Sequence, residues 1–183
     1  MAQKQVSEIE RVLLSEEQIQ KRIQEVAKEL DAYYAGKSPI AICILKGSVV
    51  FFSDLIRAMD TSVSIEFMKV SSYGASTTSS GKLSVGLDIL SNIEGKEVLI
   101  VEDIIDSGNT MYVLKQMLQT RSPADIRIVS LLDKPARRTA DIMPDFTCFE
   151  IEDEFVIGYG LDYAEKYRDL PFVGILKRSV YEK

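Results

Sequence analysis

The sequence predicts an α/β fold in which helices flank a parallel sheet, and two observations support this. Strand-like and helix-like segments alternate from residue 39 to residue 132, which favours parallel strands joined by right-handed crossovers. The apolar run at 98–101 is typical of a strand buried on both faces. With 183 residues, the chain has the length of one α/β domain with a substantial core.

Periodicity predicts the individual elements. Ser15 and Gln18 match a capping box, and apolar residues spaced by three and four then predict an amphipathic helix that ends near Gly36. Helices are also predicted over 49–59 and from just after residue 108 to about residue 121. The predicted strands are, in chain order, 39–45, 63–70, 82–90, 98–101, 126–132, 146–151, 155–159 and 172–176.

The composition excludes several classes of function. Hydrophobic residues make up 46% of the chain and charged residues 27%, as in an ordinary globular protein. No apolar run could span a bilayer and segment 1–13 lacks a signal-peptide core, so we expect a cytoplasmic protein with no membrane partner. The net charge of −6 argues against a nucleic-acid partner, although a local basic cluster could still bind a phosphate ligand.

The residue types also narrow the possible catalytic groups. Histidine is absent, which removes Ser-His-Asp, Cys-His and histidine-ligated metal sites. Cys43 and Cys148 lie in apolar, strand-like surroundings without a CxxC motif, so we expect reduced core residues. Catalysis must therefore depend on carboxylates, Lys, Arg, Tyr, backbone dipoles or an oxygen-bound cation such as magnesium.

Polar residues follow three of the predicted strands. Lys46, Glu102, Asp103, Asp106 and Lys134 all fall just beyond strand carboxyl ends, where open parallel sheets bind their ligands. The cluster at 107–110 then opens a helix, and unpaired N–H groups at a helix start can hold a phosphate. The neighbouring acids could hold sugar hydroxyls or a magnesium ion.

The segment 71–82 reads SSYGASTTSSGK and has little apolar surface to bury. Its composition predicts a mobile loop. Two interpretations stay open from the residues alone. The loop could be a passive surface connector, or it could be a lid over an active site, because long loops inside compact domains are often functional.

The segment 98–112, VLIVEDIIDSGNTMY, resembles the phosphoribosyl-diphosphate-binding motif of the type I phosphoribosyltransferases. Three further stretches strengthen the resemblance and extend it over residues 40–176. The LKGS of 45–48 looks like the family's diphosphate loop, and the LDKP of 132–135 looks like its purine-reading segment. The segments 155–163 and 167–170 are similar to the C-terminal hood of the hypoxanthine-guanine members.

The resemblance implies an architecture and a reaction. The fold would be the type I phosphoribosyltransferase fold, a single domain over 1–183 with a core at about 37–145. A small hood would be formed by about 1–14 and 146–183, next to a mobile loop. The reaction would be Mg²⁺-dependent purine salvage, in which a 6-oxopurine takes the phosphoribosyl group of phosphoribosyl diphosphate. The family also implies a homo-oligomer, either a dimer or a tetramer.

The resemblance also assigns a role to each matching residue. Asp106 would be the catalytic base beside the purine. The diphosphate would contact Lys46, Gly47 and Arg168. The ribose 5-phosphate would contact Glu102, Asp103, Asp106, Ser107, Gly108, Asn109 and Thr110. The purine would contact Lys134, Phe155, Val156 and Asp162, while Ser72 and Tyr73 would close as a lid. The metal would be held by Glu102, Asp103 and Asp162.

Simpler interpretations of the same residues stay open. Phe155 could be a core aromatic, Tyr73 a surface tyrosine, and Asp162 with Arg168 an exposed ion pair. The basic residues Lys134, Arg137 and Arg138 could form a solvated run. Asn109 occupies the variable position of the phosphate loop, so phosphate binding should depend mainly on backbone N–H groups.

Two other functions are possible. One is a regulator that keeps the pocket without catalysis, and the other is the same reaction on adenine or uracil.

Overall fold

The computed structural model describes residues 7–72 and 83–182. The proposed lid residue Tyr73 lies outside these ranges, and for Ser72 only the backbone is described. The strands are β1 Ile9–Leu14, β2 Ile40–Ile44, β3 Ser64–Ser72, β4 Leu83–Leu87, β5 Glu97–Ile105, β6 Asp125–Asp133, β7 Phe146–Glu150, β8 Val156–Ile157 and β9 Val173–Leu176. The helices are α1 Glu16–Tyr33, α2 Val49–Ala58, α3 Asn109–Gln119 and the short α4 Arg178–Tyr181.

Helix α1 begins where the sequence predicts it. The N–H of Gln18 donates to Ser15 Oγ at 3.2 Å, and the N–H of Ser15 donates to Gln18 Oε1 at 2.8 Å. These reciprocal bonds form the predicted capping box and satisfy two N–H groups at the helix start. The residues at the predicted apolar spacing, Ile19, Ile23, Val26 and Leu30, are all buried.

The larger sheet has six strands in the order β4-β3-β2-β5-β6-β7. All neighbouring strands in it are parallel except β4, which pairs antiparallel with β3 at one edge. The predicted α/β architecture with a mostly parallel sheet is therefore confirmed. Because parallel strands share one direction, their carboxyl ends meet along a single edge.

Alternate residues of the strands face two apolar layers. On β2, Ala41 and Cys43 pack with α1 and α2, whereas Ile42 and Ile44 face the layer that contains α3. Both faces are covered, which explains why the central strands are almost continuously apolar. Cys43 and Cys148 are buried free thiols, as predicted, and burial raises the pKa of each to about 12.

A smaller antiparallel sheet, with the order β1-β9-β8, forms the hood. It covers an apolar cluster made by Ile157, Leu170, Phe172 and Leu176. The expected hood includes residues 1–14, but no strand is predicted there. Strand β1 nevertheless pairs with β9, from which it is separated by most of the sequence.

Strand β7 belongs to the larger sheet. It pairs with β6, whereas the sequence analysis began the hood at residue 146. Strand β7 therefore extends the larger sheet, and the division of the chain into core and hood stays a prediction. Within the described ranges, no helix is both long and apolar enough to cross a membrane.

Candidate active site

The predicted site residues meet at the carboxyl edge of the larger sheet. Strand β5 runs four residues further than predicted, so Glu102 and Asp103 belong to the strand and Asp106 follows its last residue. A cavity of about 320 Å³ opens at this point. Its lining includes the predicted residues Glu102, Asp106, Ser107, Gly108 and Thr110.

The phosphate loop is supported from behind by the chain that follows β6. The Ser107 carbonyl accepts hydrogen bonds from the N–H groups of Thr139 at 3.0 Å and Ala140 at 3.1 Å. Gly108 has φ of +82°, and a Cβ at this position would lie 2.8 Å from Ile142 Cγ2. Only glycine fits this conformation and this approach. Helix α3 begins directly afterwards at Asn109, which places the helix start at the predicted phosphate position.

Glu102 and Asp103 form the partly buried acidic end of the site. Burial raises the pKa of Asp103 to about 6, against the smaller opposing effects of backbone N–H donors and of Arg168. Burial and the neighbouring Asp103 raise the pKa of Glu102 well above its ordinary range. Ser48 Oγ, at 3.4 Å from Glu102 Oε2, provides a weak hydrogen bond. Two carboxylates are thus held close together with little compensating charge.

The predicted diphosphate loop lies directly against these acids. A Cβ on Gly47 would lie 1.5 Å from Asp103 Oδ2, so no other residue fits there without displacing the carboxylate. The peptide bond between Leu45 and Lys46 is cis. Lys46 Nζ forms an ion pair with Glu165 Oε2 at 2.9 Å.

Arg168 approaches the same place from the hood. Its Nη2 lies 2.8 Å from Asp162 Oδ1, and its Nη1 donates to the carbonyl of Gly160 at 2.7 Å. Arg168 Nη2 also lies 3.6 Å from Glu165 Oε1. The two predicted diphosphate cations, Lys46 and Arg168, therefore share one acidic neighbour.

Asp106, the predicted catalytic base, has a basic neighbour that the sequence analysis did not assign to the site. Arg137 Nε lies 2.9 Å from Asp106 Oδ1, although the two groups are not aligned for a hydrogen bond. Arg138 Nη1 donates to the Asp106 carbonyl at 2.9 Å and also pairs with the buried Asp133. Arg138 is therefore a structural anchor of the loop and not part of a solvated run.

The predicted purine residues lie between β6 and the hood. Lys134 is only 6% exposed, so it is not a solvated lysine, and its Nζ donates to the Glu154 carbonyl at 2.7 Å. Phe155 is 37% exposed and is therefore not a core aromatic. One face of its ring stacks on Tyr181, with 4.7 Å between centroids, and Tyr163 meets it edge-on at 5.6 Å. Val156 is buried in β8 beside it.

Several residues at the site gave no signal in the sequence. Glu165 lies on a loop and Arg137 ends a short 3₁₀ helix, Pro135–Arg137, and the roles of both depend on partners at positions distant in the chain. Ser48 was predicted as part of the turn after β2 but not as a donor to Glu102. A serine directly after the Lys-Gly pair is the one feature that could have suggested it.

The described residues contain no group of three or more acidic or cysteine side chains close enough to hold a metal ion by themselves. Magnesium, however, commonly binds through one or two carboxylates together with substrate oxygens and water. Glu102 and Asp103 are two adjacent, partly buried carboxylates with raised pKa values, which a cation would stabilise. The site thus fits a magnesium ion shared with a substrate, while Asp162 is already paired with Arg168.

Comparison with known proteins identifies the family. The profile described as "Phosphoribosyl transferase domain" matches residues 12–164. The chain belongs to the phosphoribosyltransferase family. A hypoxanthine-guanine phosphoribosyltransferase from Bacillus subtilis is 51% identical over 96% of this chain and 97% of its own length. A phosphoribosyltransferase of the same name from Streptococcus thermophilus is 44% identical over 96% of this chain and 98% of its own length.

Solved structures support the same family assignment. A crystal structure of a hypoxanthine phosphoribosyltransferase from Staphylococcus aureus aligns with a TM-score of 0.93 and 48% identity. The alignment covers 96% of both chains. The type I phosphoribosyltransferase fold inferred from the sequence motifs is confirmed, as is the resemblance to the hypoxanthine-guanine members. The residue roles at the site stay predictions.

Proposed function

We propose that this chain transfers the 5-phosphoribosyl group of phosphoribosyl diphosphate to hypoxanthine, and by extension to guanine, in a Mg²⁺-dependent reaction. The products would be IMP or GMP and diphosphate. One observation carries the proposal. The phosphate loop, the partly buried Glu102 and Asp103 and the buried Lys134 all lie at the carboxyl edge of the larger sheet, and the partly exposed Phe155 follows Glu154, whose carbonyl Lys134 contacts. Together these groups complement a phosphate, a ribose, a diphosphate and a 6-oxopurine.

The reaction replaces one bond at the anomeric carbon of the ribose. A purine nitrogen forms a bond to that carbon, the bond to the diphosphate oxygen breaks, and the diphosphate leaves with the electron pair. The transition state resembles an oxocarbenium ion, so charge must be stabilised at both ends. Bound magnesium would supply Lewis-acid stabilisation of the leaving diphosphate. On the protein side, Lys46, the Gly47 backbone and Arg168 would neutralise the same group.

Asp106 would accept the proton that the purine loses. It follows the last residue of β5 and lines the cavity beside the phosphate loop. A carboxylate there can remove a proton from a purine ring nitrogen as the new bond forms. The Ser107–Thr110 segment would hold the 5′-phosphate, which fixes the ribose relative to the carboxylate.

Lys134 would determine which purines are accepted. Its ammonium is a donor without acceptor capacity, so it suits the exocyclic oxygen of hypoxanthine or guanine. Adenine presents an amino group at that position, which would leave the buried ammonium poorly paired. The ring of Phe155 would stack on the base, and the backbone of Val156 would contact its edge. Closure by Ser72 and Tyr73, the cytoplasmic location and assembly into a dimer or tetramer stay predictions.

The decisive experiment is a panel of hypoxanthine, guanine, xanthine, adenine and uracil with phosphoribosyl diphosphate, with and without Mg²⁺. We expect turnover of hypoxanthine and guanine only when Mg²⁺ is present. Turnover of uracil or adenine in preference to 6-oxopurines would contradict the assigned base specificity. Salt-dependent binding of nucleic acid without any turnover would instead support the regulator considered in the sequence analysis.

A further inference from the structure

Three residues from distant parts of the chain form a polar junction behind the site. Tyr159, which is only 3% exposed, donates its hydroxyl hydrogen to Asp54 Oδ2. Gln20 Nε2 donates to the same Asp54 oxygen at 2.8 Å and lies 3.2 Å from Tyr159 Oη. We call Gln20, Asp54 and Tyr159 the tyrosine clamp. It connects α1, α2 and the turn that follows β8.

Within the clamp, the Tyr159 hydroxyl acts as a hydrogen-bond donor. Burial and the adjacent Asp54 carboxylate both raise the pKa of Tyr159, which keeps the hydroxyl protonated. Gln20 supplies a second donor to the carboxylate, so the acceptor oxygen is fixed from two directions. The arrangement is therefore a defined hydrogen-bonded geometry and not only a buried ring.

The turn that carries Tyr159 is tightly constrained. Gly158, Tyr159 and Gly160 have φ values of +93°, +51° and +100°. Gly158 and Leu161 exchange two backbone hydrogen bonds, each 3.0 Å long. A Cβ at Gly160 would lie 2.0 Å from the carbonyl oxygen of Gly47, so the turn rests directly on the diphosphate loop.

The same turn also fixes Arg168. The Gly160 N–H donates to the Arg168 carbonyl at 2.9 Å, and Arg168 Nη1 returns a bond to the Gly160 carbonyl at 2.7 Å. Gly160 is thus the point where Gly47 and Arg168 meet. Asp54 lies on α2, the helix that starts immediately after the diphosphate loop.

We propose that the tyrosine clamp is a positioning device for the diphosphate end of the site, setting the distance between the Gly47 loop and Arg168. This inference rests on the proposed function, in which those two groups bind the diphosphate. Gln20, Asp54 and Tyr159 act through Gly160 and are not themselves contacts of the substrate. Loss of the clamp should therefore affect phosphoribosyl diphosphate much more than the purine.

The chain offers a closely matched control at the opposite edge of the larger sheet. There, Tyr33 Oη donates to Asp125 Oδ2 at 2.6 Å and accepts from Arg127 Nε at 2.7 Å. Tyr33→Phe and Tyr159→Phe therefore remove the same atom from the same kind of junction. Of the two junctions, the Tyr159 junction is the one next to a residue, Gly160, that approaches the diphosphate loop.

The experiment compares the two variants by thermal unfolding and by steady-state kinetics with each substrate varied. Tyr159→Phe should raise KM for phosphoribosyl diphosphate by about 5- to 100-fold, since small displacements of positioned groups have effects of this size. KM for hypoxanthine should change by less than about twofold, because the groups proposed to contact the purine are not displaced. Tyr33→Phe should lower the melting temperature without changing either KM.

Two more variants keep the test decisive. Asp54→Asn keeps an acceptor for the Tyr159 hydroxyl and should retain most of the affinity of the unaltered chain for phosphoribosyl diphosphate. Gln20 lies on a partly exposed face of α1, so Gln20→Ala should fold even if Tyr159→Phe does not. It should raise KM for phosphoribosyl diphosphate as Tyr159→Phe does, but by a smaller factor.

Equal kinetic changes for both substrates, or Tyr159→Phe and Gln20→Ala matching Tyr33→Phe, would overturn the clamp. Absence of turnover by the unaltered chain would instead refute the proposed function, and the role of the clamp with it.

Discussion

Acidic side chains at the two edges of the larger sheet differ in the partners that they have. At the amino edge, each acid has a cation or hydroxyl partner. Asp125 binds Tyr33 and Arg127, Asp145 binds Arg127 at 2.8 Å, and Glu97 pairs with Lys37 at 2.8 Å. At the carboxyl edge, the partly buried Glu102 and Asp103 are adjacent and have only weak or backbone donors.

The pKa values of the acids record this difference. Burial alone would raise the pKa of Asp125, but hydrogen bonds from Tyr33 and Arg127 outweigh it and leave the pKa lowered. Burial raises the pKa of Asp103 to about 6 because no comparable donor compensates it. At the amino edge, Asp125 therefore stabilises the fold through its hydrogen bonds. At the carboxyl edge, Asp103 stays available to bind a ligand. Perturbed acids of this kind are typical of functional sites.

The largest expected contrast is between Asp106→Asn and Asp125→Asn. Asp106→Asn should lower kcat by roughly 10²- to 10⁴-fold, the usual contribution of a positioned base, with little change in stability. Asp125→Asn should leave kcat unchanged and reduce the free energy of unfolding by about 1–3 kcal/mol, because a charged hydrogen-bond acceptor is lost. Steady-state kinetics and urea unfolding would measure both. Unchanged turnover in Asp106→Asn would remove the catalytic assignment.

Lys134→Gln tests whether the purine end depends on a cationic donor. The preference for hypoxanthine over adenine, expressed as a ratio of kcat/KM values, should fall by about 100-fold or more because glutamine can serve either base. Lys37→Gln removes a lysine from the amino edge and provides the control. It should alter stability slightly and leave the base preference intact. A Lys134→Gln enzyme with unaltered preference would show that another group reads the base.

The pH dependence of stability should differ in sign between the edges. Because the folded pKa of Asp103 is raised, its contribution is favourable at low pH and is lost as pH rises from about 4 to about 6. Asp103→Asn should therefore raise the free energy of unfolding at pH 7 by about 1–3 kcal/mol. The pKa of Asp125 is lowered, so its stabilisation is present at neutral pH and is lost on acidification. Urea titrations from about pH 2 to about pH 8, which include the range in which Asp125 becomes protonated, would compare the two variants.

Magnesium binding provides an independent test of Glu102 and Asp103. If Glu102 and Asp103 hold the ion, Mg²⁺ should raise the melting temperature of the unaltered chain more at pH 7 than at pH 5. The ion requires the deprotonated carboxylates, which the raised pKa values disfavour at low pH. The effect should be lost in Asp103→Asn and kept in Asp125→Asn. Persistence in Asp103→Asn would place the metal elsewhere.

The smallest effect is expected from Glu165→Gln. Glu165 pairs with Lys46 and lies near Arg168, so it competes with the diphosphate for both cations. Its removal should lower KM for phosphoribosyl diphosphate by up to about fivefold, as expected for an exposed ion pair. Asp88→Asn removes a similar exposed pair with Arg121 away from the site and should leave KM unchanged. A higher KM in Glu165→Gln would show that Glu165 orients the cations and does not compete for them.

Local patterns explain how much of the fold could be predicted. Periodicity located α1, α2 and α3, and the apolar runs located the strands of the larger sheet, because both signals depend on neighbouring residues. The capping box located the start of α1, whereas the short α4 was not predicted. The position of the site followed from the same information, since parallel strands align their carboxyl ends. Glu102, Asp106 and Lys134 were found in this way.

Features that depend on distant residues could not be predicted. Strand β1 is mostly exposed and shows no clear alternation, so only its pairing with β9 defines it. The tyrosine clamp joins positions 20, 54 and 159, and nothing near any of these positions indicates the others. The stacking of Tyr181 on Phe155 depends in the same way on the folded hood.

The pairing of β1 with β9 has a consequence for synthesis of the chain. Strand β1 is synthesised before the strands of the larger sheet, whereas its partner Val173–Leu176 is synthesised after them. The larger sheet, with its phosphate loop, can therefore assemble on a nascent chain before the hood exists. Such an intermediate would lack Phe155 and Arg168 and would expose β1 as an unpaired strand. Catalytic competence would then appear only after Val173–Leu176 has been synthesised.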